Sequence, residues 1–286
     1  MDQPRARILV VARAPVAGAA KTRLEPLLGP AGCARLQAAL VAHTVATAAA
    51  LGPVSVAVAG PAELVAELVP AGVELFRQRD GDLGARMAAA VEQVRARYAR
   101  PRATPTSRAR DGDATAGTGP AVVVGTDCPQ LGATQVTAEA VIVVGTDCPQ
   151  LGATQLTAAL DALAAGADVV FGPAHDGGYY LVALAPTTPA APVFALPPGA
   201  WGGPQVLALS RTAADGAGLR VALLDVEHDL DTPADAVRAR ADPRVPATIA
   251  ALLCPGRPAH LVTGMPPPPS GMRGEPDLLN GATRAC

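Results

Sequence analysis

Aromatic side chains are nearly missing from this 286-residue chain: three Phe, three Tyr and one Trp make up 2% of it. A core built on large rings is therefore excluded. The 50% of the chain that is hydrophobic is mostly Ala, Val and Leu, small side chains suited to close layers of helix on sheet. Lysine is scarcer still, since only Lys21 among the 23 basic residues is Lys. No basic block interleaves with aromatics, so the sequence gives no sign of a nucleic-acid surface. The arginines between Arg95 and Arg110 lie among Pro, Thr and Gly and read as a solvated linker.

Cysteine is also sparse. Cys33, Cys128, Cys148, Cys254 and Cys286 show neither metal-ligand nor disulfide spacing. With no secretory signal at the N-terminus, a reducing cytoplasm is the expected location. The longest apolar stretch, Leu36 to Gly60, contains His43 and is broken by Gly52-Pro53. A helix followed by a buried strand explains it better than a membrane span.

What is present alternates. Arg7 to Ala12 is a short, nearly unbroken apolar run, as expected of a parallel strand buried on both faces. A helical pattern follows from about Gly29 to Ala50, then a strand at Val54–Ala59, a short helix at Ala62–Leu68 and a strand at Val73–Phe76. Asp80 to Gly84 forms a turn opening a helix to about Tyr98. This order predicts an α/β, doubly wound, mostly parallel sheet with helices on both faces. Ligands of such sheets gather at the carboxyl ends of the strands.

We divide the chain into one domain over residues 1–253, with a disordered insertion expected at 101–120, and a Pro-rich disordered tail at 254–286. Within the domain lies a tandem duplication, 122–141 and 142–161. Val123–Gln135 recurs letter for letter as Val143–Gln155. Only the second copy runs on into a complete helix, Leu156–Ala165, and a strand, Asp168–Gly172. The working aspartate is therefore assigned to Asp147 rather than Asp127, the alternative being that both copies form adjacent strands.

Four segments carry candidate chemistry. The loop from Ala12 to Leu24, with Pro15 and Gly18, follows the first strand. Backbone N–H groups and nearby cations in such a turn cradle phosphate. In a chain that otherwise uses Arg, the lone Lys21 points to a need for a compact charge at that place. Gly145-Thr146-Asp147-Cys148-Pro149 ends an apolar strand; Asp147 is either a ligand for Mg²⁺ or Mn²⁺ or a cap for the next helix. In Asp225 to Asp235, alternation puts Asp229 and Asp231 on one face. Asp229 suits a metal, while Asp231 or Thr232 suits an N-cap before Pro233. In Gly172 to Tyr180, Gly177-Gly178 allows close backbone approach to a ligand and Asp176 can accept from hydroxyls or act as a base. Trp201, beside Gly202-Gly203, is either a core plug or a platform. His43, on an apolar helical stripe, reads as a core residue.

These segments occur in an order that resembles the DUF2064 family: AxAPVAGxxKTRL at Ala12–Leu24, Arg79–Met87, VVGTDCPQL, VVFGPAHDGGYYL, AWGG and DVEHDLDTPAD. That family is glycosyltransferase-like, includes the glycosyltransferases of arsenosugar biosynthesis, and falls in the nucleotide-diphospho-sugar transferase superfamily. The resemblance spans roughly residues 7 to 240 and implies a GT-A-type fold. It implies that Arg13, Gly18, Lys21 and Arg23 face nucleotide phosphates, with Gly81, Asp82, Gly84 and Arg86 near base and ribose. Asp147 and Asp229 would hold Mg²⁺ or Mn²⁺, and Asp176 would lie toward sugar or acceptor, making Asp176 and Lys21 the catalytic candidates. The family usually has Lys at the place of Arg13 and a single GTDCP segment. The resemblance thus leads us to expect a transferase moving a sugar from a nucleotide-diphosphate donor to a small hydroxyl acceptor. Nucleotidyl transfer from an NTP, as in the guanylyltransferases acting on phospholactate or phosphoenolpyruvate, is the alternative, and a silent nucleotide-binding protein a third.

Overall fold

The structure, a computed structural model, describes residues 6–98, 100–101, 136–137 and 139–254. The first repeat copy through Gln135, with Asp127 and Cys128, lies outside the described residues, as do the 102–120 stretch and the tail from 255.

Strand β1 (Ala6–Arg13) leads through a 3₁₀ turn (Thr22–Leu24) into α1 (Glu25–Ala49). Then follow β2 (Val54–Ala59), α2 (Glu63–Ala66), β3 (Glu74–Arg77) and α3 (Leu83–Tyr98). Two residues each of β4 (Arg100–Pro101) and β5 (Val136–Thr137) pair antiparallel. The chain continues through β6 (Ala140–Val144), α4 (Ala153–Ala164), β7 (Val169–Pro173), β8 (Tyr179–Leu184), α5 (Ala190–Phe194) and α6 (Val206–Gly216). It closes with β9 (Val221–Leu223), α7 (Pro233–Ala241) and α8 (Ala247–Leu252). Seven strands form one sheet in the order β3-β2-β1-β6-β8-β7-β9. Only β8 runs against its neighbours, pairing antiparallel with β6 and β7. The α/β, doubly wound, mostly parallel single domain read from the sequence is what the chain forms.

The pleat explains the layers. Ile8, Val10 and Ala12 face a cluster with Val41, Val45 and Ala48 of α1 and Leu156, Ala159 and Leu163 of α4. Leu9, between them, faces the opposite cluster with Met87, Val91 and Val94 of α3 and Val193 and Phe194 of α5. A third cluster joins Leu24, Leu36 and Leu40 to Leu230, Ala236 and Ile249. It pins the turn after β1 against the segment before α7.

Several boundaries move for local reasons. A short helical stretch from Glu25 precedes the expected helix and joins it at a break, where Gly29 takes the non-helical φ 65° and ψ 167° ahead of Pro30. Helix α2 keeps only four residues of the expected span. Helix α4 starts at Ala153, where Gln155 Oε1 accepts from Gly152 N at 3.0 Å. Among the described residues no helix is long and apolar enough to cross a membrane.

Candidate functional site

The loops at the carboxyl ends of β1 and β6 are tied together by one amide. Buried Gln37 of α1 donates from Nε2 to Arg13 O at 3.1 Å and to Thr146 Oγ1 at 3.2 Å. Gln78, just past β3, does the same on the other flank, donating to Ala12 O and Ala57 O. Leu230 N donates to Asp147 O at 2.8 Å, which fastens the 225–232 segment to the end of β6. With Leu24 and Leu230 both fully buried in the third cluster, apolar packing carries Lys21 to within reach of residues more than 200 positions away.

Lys21 Nζ donates to Leu230 O at 2.7 Å and to Asp231 Oδ1 at 2.8 Å, and pairs with Asp147 Oδ1 at 2.5 Å. Its side chain is 4% exposed, against 50% for Asp147 and 37% for Asp231. Burial alone would lower the ammonium pKa, but the two carboxylates outweigh it and the net shift is upward. Lys21 is also the one described non-glycine residue at positive φ, 52°.

Asp229 completes an acidic group. Burial, then the charges of Asp176, Asp147 and Asp231, push its carboxyl up to about 8, against a partial downward pull from Lys21. Asp229 thus feels three other carboxylates, with the Lys21 ammonium opposing them. Asp231 is the partner that sequence reasoning placed on the right face without giving it this role. Thr232, not Asp231, is the N-cap of α7, its hydroxyl accepting from Asp235 N. Asp147 is no cap either, since the N-cap of α4 is Gly152.

The other candidates differ in what surrounds them. The side chains of Arg13 and Arg23 are exposed, and Gly18, at φ 77°, has open space where a side chain would stand. Asp82 Oδ1 accepts from Ala85 N at 2.8 Å in the first turn of α3. Gly81 needs glycine for its φ of 125°. At Gly84 a β-carbon would lie 2.2 Å from Phe194 O and 2.7 Å from the Trp201 ring, so this glycine admits the indole against α3. Arg86 is half-buried, its Nε without a protein partner. Trp201 stands edge-on to Tyr179 and packs on the α3-side core. At Gly177 a β-carbon would lie 1.9 Å from Pro204 O, so the close approach there is to the protein's own backbone rather than to a ligand. Asp176 is exposed, with Oδ1 accepting from Gly178 N at 2.8 Å.

Behind the β6 loop, on the α1–α4 side, lies a cavity of about 810 Å³ lined by His43, Gln150, Gln155, Tyr180, Glu227 and Arg244 among others. Buried Glu227, which sequence reading passed over inside the DVEHD run, accepts there from Gln155 Nε2 and pairs with Arg244. His43 makes its ring contact with Leu151 O, and burial lowers its pKa. Cys33 and Cys148 are free thiols, and burial pushes the Cys148 thiol well up.

Among the described residues no three His, Cys, Asp or Glu side chains converge as a ready metal cage. The donor chemistry nevertheless fits a hard divalent cation. The carboxylate oxygens are the right ligand type, Asp229 is raised to about 8 by burial and then by the charges of Asp176, Asp147 and Asp231, and oxygens of Asp147 and Asp231 are turned toward Lys21.

Comparison with known proteins bears on the fold and the family. No curated protein matches the sequence. A crystal structure of a "putative nucleotide-diphospho-sugar transferase" from Desulfovibrio desulfuricans G20 shares the fold, with 23% identity and a TM-score of 0.66 over 88% of this chain and 94% of that one. The 4-diphosphocytidyl-2C-methyl-D-erythritol synthase of Anaerococcus prevotii DSM 20548 aligns at 8% identity and a TM-score of 0.45, over 84% and 98%. The profile of the family described as "Uncharacterized protein conserved in bacteria (DUF2064)" matches residues 40–138 and again 133–201, leaving the Lys21 loop and the Asp229 segment outside. Those matches cover more than half of the sequence, and the chain belongs to the DUF2064 family.

Proposed function

We propose that the chain is a divalent-metal-dependent transferase that moves a sugar from a nucleotide-diphosphate donor to a small hydroxyl acceptor, on a GT-A-type scaffold. The observation that carries this reading is the group of carboxylates at the carboxyl edge of the sheet: Asp147 and Asp231 on one ammonium, and Asp229 raised to about 8 by burial first and then by the charges of Asp176, Asp147 and Asp231. A site that concentrates negative charge to that degree is built to receive a cation.

Asp147 and Asp229 would hold Mg²⁺ or Mn²⁺, with Asp231 beside them. Such an ion, when bound, supplies charge to offset a leaving diphosphate. Exposed Arg13 and Arg23, on either side of the Gly18 turn, are the donors free to meet the phosphates, together with backbone N–H groups of the loop. The Gly81–Arg86 turn would lie near base and ribose. Asp176, exposed at the strand end, would orient or deprotonate an acceptor hydroxyl.

The test is to incubate the protein with NDP-sugars and with NTPs, with and without Mg²⁺ or Mn²⁺, and to follow the leaving group. Release of NDP that depends on metal and acceptor is expected. Release of pyrophosphate from an NTP would replace sugar transfer by nucleotidyl transfer. Nucleotide binding with no turnover on any donor would contradict the enzymatic reading.

A further inference from the structure

Lys21 was expected to meet phosphate, yet its side chain is fully engaged inside the protein. Nζ has three N–H donors and three oxygen partners at 2.7, 2.8 and 2.5 Å: Leu230 O, Asp231 Oδ1 and Asp147 Oδ1. Two carboxylates and a backbone carbonyl are also oxygen types that a hard divalent ion takes. The ammonium is 4% exposed while Asp147 and Asp231 remain open to solvent at 50% and 37%. An arriving cation therefore meets the outer faces of carboxylates whose inner faces Lys21 holds. Two cations sharing those oxygens repel each other.

The backbone adds a second mark. Lys21 sits at φ 52° and ψ 37°, where its β-carbon is crowded against the following carbonyl. Such a conformation persists only where contacts on both sides impose it. Here Ala20 and Leu24, both fully buried, fix the flanks, and the ion pairs fix the side chain.

We propose that Lys21 is a resident cation: its ammonium holds Asp147 and Asp231 together in the metal-free protein, and a divalent ion taken up at Asp147 displaces it from that pair toward the anionic substrate. The idea rests on the metal-dependent reading given above. It accounts for the absence of a ready cage among the described residues, because two of the four carboxylates are turned to Nζ. Lys21 is then a positioning residue before the substrate arrives and a phosphate contact only afterwards.

Lys21 is the chain's only lysine, so full-length wild-type protein labelled with ¹⁵N at lysine Nζ gives one side-chain ammonium resonance. In metal-free protein that resonance should be protected from solvent exchange. Titration with Mg²⁺ alone should shift it and speed its exchange, in step with metal occupancy measured by calorimetry. Lys21→Met, if folded by its melting curve, should bind Mn²⁺ at least fivefold tighter than wild type by electron paramagnetic resonance. An unmoved lysine resonance at saturating Mg²⁺ overturns the displacement and leaves the metal reading intact. Failure to bind either ion, even with nucleotide present, overturns both.

Discussion

On the α3 side of the sheet's carboxyl edge, Asp82, Gly84 and Gly177 are spent on structure: a first-turn cap, a seat for Trp201 and a contact with Pro204. On the α1 side, Lys21, Asp147, Asp229 and Asp231 are gathered by charge, with half-exposed oxygens left over. Both sides use glycines and aspartates beside strand ends. The difference lies in whether the polar atoms already have partners and whether a missing side chain faces solvent or protein. Gly18 faces open space, whereas Gly84 and Gly177 face backbone.

Substitutions should separate the two sides. The largest loss is expected at Gly177→Ala, where a β-carbon meets Pro204 O at 1.9 Å at a φ of 90°. About 3 kcal/mol or more of folding stability should vanish, read by denaturant unfolding. A fully stable variant would show that the HDGG loop does not pack as described.

On the charged side the sign reverses. The Asp229 carboxyl is raised from 3.8 to about 8, so the folded state holds a proton that the unfolded chain releases. That contribution is complete below about pH 4 and fades as pH rises through about 8. Metal-free wild type should therefore lose stability across that window at a rate approaching about 1.4 kcal/mol per pH unit, and Asp229→Asn should flatten the slope. Parallel pH profiles for the two proteins would remove Asp229 from the repelling group.

Smaller effects bound the comparison. Thr232→Ala removes one half of the capping box with Asp235 at the start of α7 and should cost about 1 kcal/mol, with little change in cation binding. Arg220→Ala breaks the exposed pair with Asp168 and should shift the melting temperature least, and less still in high salt.

Much of the fold was legible because burial on both faces leaves unbroken apolar runs such as Arg7–Ala12 between helical patterns. The direction of β8 was not. Tyr179–Leu184 is as apolar as the parallel strands of the sheet, and only the turn at Ala174–Gly178 reverses it. Strand β9, three residues on the sheet edge, carries too little pattern to read. At the site, residue types and spacing marked Lys21, Asp147 and Asp229. The contact of Lys21 with Asp231 spans 210 positions and depends on Leu24 and Leu230 meeting in one apolar cluster. Gln37 and Gln78 carry no signal at all, since a single Gln on a buried element has no pattern to mark it.

The direct test of the central claim, that the β6-edge carboxylates form a cation site, is an electron paramagnetic resonance titration of metal-free protein with Mn²⁺. Wild type and Asp127→Asn should show one saturable site, and Asp147→Asn should bind at least tenfold more weakly. Equal Mn²⁺ affinity in wild type and Asp147→Asn would contradict the account.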